Sequence, residues 1–287
     1  MQTDNTRDKL LGINTNGNPT QSNQLTAVMT MKGDELAIFR KMLTVTDGRD
    51  KTLKCIQYFC KLLVWAFLNR PGNKTSNRLL LRDSLKPLIT QLSTTRKVIR
   101  LGHVLEPISE LSDILRAFKS YQLNEKDAGS KRNPLLTLAF VHTLLSISND
   151  VLDDIYCLGR VGVFRKEVRD WADIWANRAW FTGTLFDLRL NFHSQAKLAA
   201  KVEAKRQILM EQKVSDEEYS KQMGALQNEL FWVRMSGYKL LCDCGFSAYD
   251  VFHWKFTEGY QHSLGFMSGV LSFSKIFAKT TKAVRAQ

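Results

Sequence analysis

The sequence predicts an all-α fold, a helical bundle, and three observations carry that expectation. After Asp34, apolar residues recur at spacings of three and four through most of the chain, as in helices with one apolar face. Only 5 Pro and 16 Gly stand among 287 residues that are 44% apolar, which excludes collagen-like and wholly disordered chains and argues against a turn-rich β-sandwich. No Asn-Gly or Asp-Gly pair joins two alternating runs, since Asp47-Gly48 leads into a helical pattern instead. A chain of this length buries about three quarters of its unfolded surface and needs no covalent staples. Five cysteines, an odd number at low density, argue against a secreted disulfide framework. Neither a secretory signal at Met1 nor a lipidation or organelle-targeting motif at Gln287 is expected from the terminal residues.

The elements follow in order. Residues 1–30 are rich in Asn, Thr and Gln and read as a flexible polar tail. Residues 31–123 form a basic N-terminal helical region. Within it, Thr46 or Asp47 caps a helix on which Leu53, Ile56, Cys60, Leu63 and Phe67 recur, and Asn69-Arg-Pro71-Gly72 ends it. A second unit spans 78–102 and a third lies near 108–121; Asn124 to Asn133 is a polar loop closed by Pro134. Residues 134–195 make an apolar and aromatic helical region. Residues 196–230 are densely charged with mixed sign and read as an exposed helical linker with a break near Val214-Ser215. Residues 231–287 return to hydrophobic helix and end in a basic tail. No internal repeat is visible.

Two short hydrophobic helices fall below the roughly 20 apolar residues that a membrane span needs. Leu135–Ile147 contains His142 and reads as a buried helix. Leu264–Ala278 contains Lys275 and stays open between a buried helix and a membrane helix, because Gly265-x-x-x-Gly269 permits close packing in lipid.

Charge is localised. The net charge is +13, yet residues 31–102 alone hold fifteen basic side chains against five acidic ones. Residues 275–287 add Lys275, Lys279, Lys282 and Arg285 with no acid. An anionic partner surface is implied, either phosphodiester or phospholipid. The segment 78–101 discriminates between them. On a helix, Leu81, Leu85, Leu88, Leu92 and Ile99 fall within a sector of about 60°, and Arg78, Arg82, Lys86, Arg96, Lys97 and Arg100 fill the adjoining sector of about 100°. An apolar stripe edged by cations is the pattern of a helix in a lipid interface, its charges reaching headgroup phosphates. These eleven residues are the candidate membrane-binding set, and an anionic phospholipid membrane is the expected partner. Packing on the protein's own core is the competing reading. Pro87 is expected to kink the helix without moving its faces out of phase. No zinc-finger spacing, aromatic RNP-like strand or zipper heptad accompanies the charge, so nucleic acid is not expected.

Candidate reactive sites are weak. Cys242-x-Cys244 with His253 and His262 lacks the usual two-residue spacer of a zinc site, and buried thiols are the simpler reading, as for Cys55 and Cys60. Asp150, Asp153 and Asp154 read as surface or bundle-interior pairing partners. Trp171, Trp175 and Trp180 are read as core in preference to interfacial anchors. No phosphate-cradling glycine loop occurs. No catalytic residue, cofactor or metal is expected, and the chain reads as a non-enzyme.

The stretches Gln57-Tyr58-x-Cys60-x-Leu62-Leu63 and Leu92-Ser93-x-x-Arg96-Lys97-x-x-Arg100-Leu101-Gly102 resemble the two N-terminal signatures of the peroxin-11 family of peroxisomal membrane elongation and division factors. Gly48-Arg49-Asp50-Lys51 resembles members from fungi and protists. Asn149-Asp150, Gly159, Trp175, Arg178 and Cys242-Asp243 keep the family's order, so the likeness covers about residues 35–280. Departures are Pro87 and a weak C-terminal hydrophobic stretch. The resemblance implies location in the peroxisomal membrane and self-association. It also implies an amphipathic helix, Leu79–Leu101 by position, that elongates the membrane before fission by a dynamin-related GTPase. Two competing classes are a peroxisomal channel for small solutes, with spans at 135–147 and 264–278, and a soluble basic binder of nucleic acid.

Overall fold

The computed structural model describes residues 35–68, 76–123, 133–212, 215–255 and 257–285. The expected tail 1–30, the turn at 69–72, nearly all of the loop 124–133 and Val214 lie outside the described residues. Within them every regular element is helical: α1 over residues 35–44, α2 Thr46–Leu63 continuing into a π-helical turn Val64–Leu68, α3 Ser76–Val98, and α4 Leu105–Leu123. After a 3₁₀ turn at Pro134–Leu136 come α5 Leu138–Arg160, α6 Lys166–Glu211, α7 Asp216–Val251 and α8 Glu258–Arg285. The all-α bundle expected from the sequence is the fold observed.

Local chemistry sets the boundaries. The Thr137 hydroxyl accepts from the Phe140 N–H at 3.3 Å and caps α5. Asp216, Glu217 and Glu218 fill the first turn of α7, where the exposed N–H groups favour negative charge. Gly102, at φ 79°, turns the chain between α3 and α4, a conformation that a side chain disfavours. Pro87 does not interrupt α3. It removes one backbone donor, but Pro87 and Asp83 are both exposed, so water meets the freed carbonyl.

The helices close a ring. α2 packs against α3 and α8, α8 against α7, α7 against α6, α6 against α5, and α5 back against α3, with α4 leaning on α5. Small residues permit the closest approach. A Cβ at Gly265 would lie 2.5 Å from the Tyr58 ring, and one at Gly269 would lie 3.3 Å from Cys55 Sγ. The Gly265-x-x-x-Gly269 motif therefore packs α8 on α2 within this chain. Residues 196–230 are not a free-standing linker. They form the adjoining ends of α6 and α7, with Leu198, Leu209, Met223 and Leu230 buried between charged outer faces.

Apolar and polar faces are inverted around the ring. Asp50, Gln57, Asp243, Ser247 and Ser268 are buried, whereas Phe59, Trp65, Phe67, Phe192 and Phe231 are exposed. On α2 the periodic apolar residues identify the helix, but Ile56 and Phe67 point outward, and Asp50, Lys54, Gln57 and Lys61 line the interior. Trp171 and Trp175 are likewise exposed and not core, while Trp180 tilts against Phe246 with centroids 5.8 Å apart. Among the described residues no helix is long and apolar enough to cross a membrane. Stretches 135–147 and 264–278 lie mainly in α5 and in α8.

The α2–α8 contact leaves no room for a side chain at Gly265. Gly265→Val is expected to destabilise the fold by about 1–3 kcal/mol, read as a lower midpoint in thermal unfolding followed by circular dichroism. An unchanged midpoint would mean that α8 does not approach α2 this closely.

Candidate functional site

The structure divides the eleven candidate membrane-binding residues into two groups along α3. At the N-terminal end, Arg78 and Lys86 are exposed, Arg82 is half-buried beside Asp83, and Leu81 and Leu88 are 52% and 44% exposed. Leu85, Leu92 and Ile99 are half-buried. At the C-terminal end, Arg96, Lys97 and Arg100 turn into the ring. Arg96 Nε meets Asp50 at 2.9 Å, and its Nη1 donates to Gln57 Oε1 at 2.8 Å. Lys97 pairs with Asp153, and Arg100 reaches Asp153 at 3.4 Å and Asp50 at 3.9 Å. Two further contacts secure the turn beyond α3: the Gly102 N–H donates to Asp154 at 3.1 Å, and His103 lies 3.1 Å from Asp150. The acidic cluster Asp150, Asp153 and Asp154 is thus the receptor for the end of the amphipathic helix.

Beneath α3 lies a polar cleft of about 680 Å³, lined by all six helices of the ring. A second ion network crosses it. Lys54 on α2 donates to Ser268 Oγ on α8 at 2.8 Å and meets Asp243 on α7 at 3.3 Å. Lys239 reaches the same carboxylate at 2.8 Å, and the Ser268 hydroxyl donates to it. Six cations therefore share three carboxylates: Lys51, Arg96 and Arg100 on Asp50, Lys97 and Arg100 on Asp153, and Lys54 and Lys239 on Asp243. Lys51 also lies 3.9 Å from exposed Asp47 at the rim.

Burial and pairing oppose each other here. Burial disfavours the charged form of Asp50, but Arg96, Lys51 and Arg100 outweigh it and hold the carboxyl well below the usual range. Burial likewise works against the Asp243 carboxylate, and Lys54 and Lys239 bring it down to about 2. Burial pulls Lys54 down to about 8 even with Asp243 beside it. The acidic cluster was visible in the sequence as a set of pairing partners. Asp50, Gln57, Lys54, Asp243 and Ser268 were not, because the contacts that join them run between helices, with Lys54 and Asp243 separated by 189 residues; Lys51 beside Asp50 and Lys239 beside Asp243 are the local partners. Asp50, as one of five acids in the basic N-terminal third, was the one available signal. Cys60 and Cys157 are buried and Cys55, Cys242 and Cys244 half-buried, all as free thiols. Among the described residues no group of three His, Cys, Asp or Glu side chains is placed to hold a metal ion.

The fold and site define a helical ring with an ion network inside, many large apolar side chains exposed and a cationic amphipathic helix pinned at one end. The family description Peroxisomal biogenesis factor 11 matches residues 36–277, and the chain belongs to this family. It is similar to the Peroxisomal membrane protein 11 homolog of Dictyostelium discoideum, 27% identical over 61% of this chain and 61% of that one. The chain thus spans about six-tenths of the length of that curated relative. No solved structure matches. The protein is a peroxisome-biogenesis protein of the peroxisomal membrane, and its family is one of biogenesis factors, not a known family of enzymes.

The Asp50 network generates two expectations. Asp50→Asn leaves Arg96 inside the ring without its carboxylate and should cost about 3–5 kcal/mol, measured by denaturant unfolding; a loss within 1 kcal/mol would remove the network from the fold's foundations. The pH dependence follows from the depressed carboxyls. In the unfolded chain they take up protons near pH about 4, while folded Asp50 and Asp243 stay ionised. Their contribution is full above pH about 4 and is lost as pH falls towards and through about 2. The thermal midpoint should drop across that window, with a shallower slope in Asp243→Asn.

Proposed function

We propose that the protein remodels the peroxisomal membrane mechanically, by inserting the amphipathic helix α3 into one leaflet and so elongating the organelle ahead of fission. The observation that supports this best is the division of α3 itself. Leu81 and Leu88 stand exposed without a protein partner surface large enough to bury them, beside the cations Arg78, Arg82 and Lys86. Leu85 continues the stripe, and Leu92 and Ile99 carry it towards the pinned end. Each leucine moved fully out of water contributes roughly 1.5–3 kcal/mol. Each cation near an anionic leaflet adds about 1 kcal/mol. In this reading Arg78, Arg82 and Lys86 meet headgroups first, whereas Arg96, Lys97 and Arg100 couple the inserted helix to the ring. A wedge in one leaflet expands it against the other, which favours a tubule. Self-association would add wedges along one tubule, and a dynamin-related GTPase would sever it.

A solute channel is the second reading, favoured by one observation, the polar cleft enclosed by six helices.

Reconstitution of the full chain into vesicles rich in anionic lipid tests both. The native protein should draw tubules visible by electron microscopy, more readily on anionic than on neutral lipid. Leu81→Asp combined with Leu88→Asp should abolish tubules while leaving helix content intact, because both positions are exposed in the fold. Tubulation by that double variant would refute the wedge. Release of an entrapped dye from vesicles that stay round would instead favour the channel.

A further inference from the structure

The cleft is short of negative charge. Its lining holds eight cations and five carboxylates, and six of those cations share only three of the carboxylates. Crediting rim residues Asp47 to Lys51 and Glu258 to Lys61 still leaves an excess of one positive charge. Lys61 and Arg178 have no carboxylate within 4 Å among the described residues; each lies over an aromatic ring, Lys61 4.8 Å from Tyr58 and Arg178 4.9 Å from Trp175. Lys61 lines both the central cleft and a neighbouring pocket beside Trp65 and His262. A folded protein does not ordinarily concentrate like charges away from bulk water without a counterion.

We propose that the central cleft is a binding site for a phosphate-class anion, held by Lys61 and Arg178 together with Arg96, Lys97 and Arg100 at and just beyond the end of α3. The donors select the class. The excess calls for an anion, and a phosphate monoester presents three acceptor oxygens and close to two negative charges to a cluster of lysines and arginines. Arginine forks fit such a group by paired hydrogen bonds, and lysines add point charges. The volume, about 680 Å³, is that of sites for small phosphorylated molecules or a lipid headgroup. The lysines show the same strain. Burial first, and then the neighbouring cations Arg96, Lys239 and Lys51, lower Lys54 against the pull of Asp243, and burial lowers Lys61 in the same direction. This site goes beyond membrane remodelling and stands whether or not α3 acts as a wedge.

Gln57 supplies the decisive variant. It is 3% exposed and its side-chain oxygen already accepts from Arg96, so Gln57→Glu adds one negative charge to the cluster at nearly constant shape. Lys61→Met removes one of the two cations with no carboxylate within 4 Å among the described residues. The full chain in phosphatidylcholine nanodiscs would be titrated with inorganic pyrophosphate, with sodium chloride at matched ionic strength as control. A parallel series would replace part of the lipid by phosphatidic acid. The expected result is a saturable rise in thermal midpoint with one of the two probes, weakened at least tenfold in both variants. The ligand-free midpoint should rise in Gln57→Glu and should not fall in Lys61→Met. A response to pyrophosphate identifies a soluble phosphate compound as the source; a response to phosphatidic acid alone identifies a lipid headgroup. A response equal to that of sodium chloride, or unchanged by Gln57→Glu and Lys61→Met, overturns the site.

Discussion

Asp50 is 1% exposed and lies between Lys51 on its own helix, Arg96 on α3 and Arg100 in the turn just beyond α3. A carboxylate at that depth is tolerable only because three cations offset its lost hydration. The same contact decides how α3 sits. Its C-terminal turns are drawn inward by charge, and of the apolar stripe, about a quarter-turn away on the helix, Leu81 and Leu88 are left exposed while Leu85, Leu92 and Ile99 are half-buried. Asp153 reinforces the pin from α5, and Gly102 fixes the exit through Asp154. Closure of the ring through the α3–α5 contact depends on the same charges.

Buried carboxylates, amides and hydroxyls share the interior with apolar residues such as Met42, Leu188 and Leu209, while many aromatic groups lie outside. Exposed large apolar side chains are scattered over every α-helix of the ring, with Phe59 on α2, Trp171 and Phe192 on α6, and Phe231 on α7 among them. Exposed apolar side chains in this number suit a partner of low polarity. Under the proposed function the bilayer would be that partner. Helices of this length still carry too many charges and hydroxyls to form simple spans among the described residues. The physical picture is a ring whose cohesion is ionic and close-packed at glycines, with its hydrophobic surface turned to its surroundings.

That arrangement also unites two features that look unrelated along the chain. Arg96, Lys97 and Arg100 belong at once to the amphipathic helix and to the lining of the cleft. Under the proposed function, force on α3 would be borne by Asp50 and Asp153, which the cleft shares. Any change in the cleft's charge would be felt at the helix proposed to meet lipid.

Much of this was legible in the sequence. Helical periodicity marks α2 through α8 because it depends only on local spacing, and the in-phase stripes of 78–101 survive Pro87 for the same reason. The cationic excess and the glycine pair on α8 were equally visible. Periodicity does not say which face is inside, so Trp171 and Trp175, read from spacing as core, lie exposed, while the interior holds buried carboxylates beside its apolar residues. Nor does composition say which cations are free. Arg82 and Arg96 share one stripe, yet one lies beside exposed Asp83 and the other is bound to buried Asp50. The sequence by itself determined the helices, their faces and their charges, all set by neighbours within a few residues. Only the tertiary structure decided orientation, pairing and the cleft, because those depend on carboxylates brought by other helices and on the desolvation that follows when the ring closes.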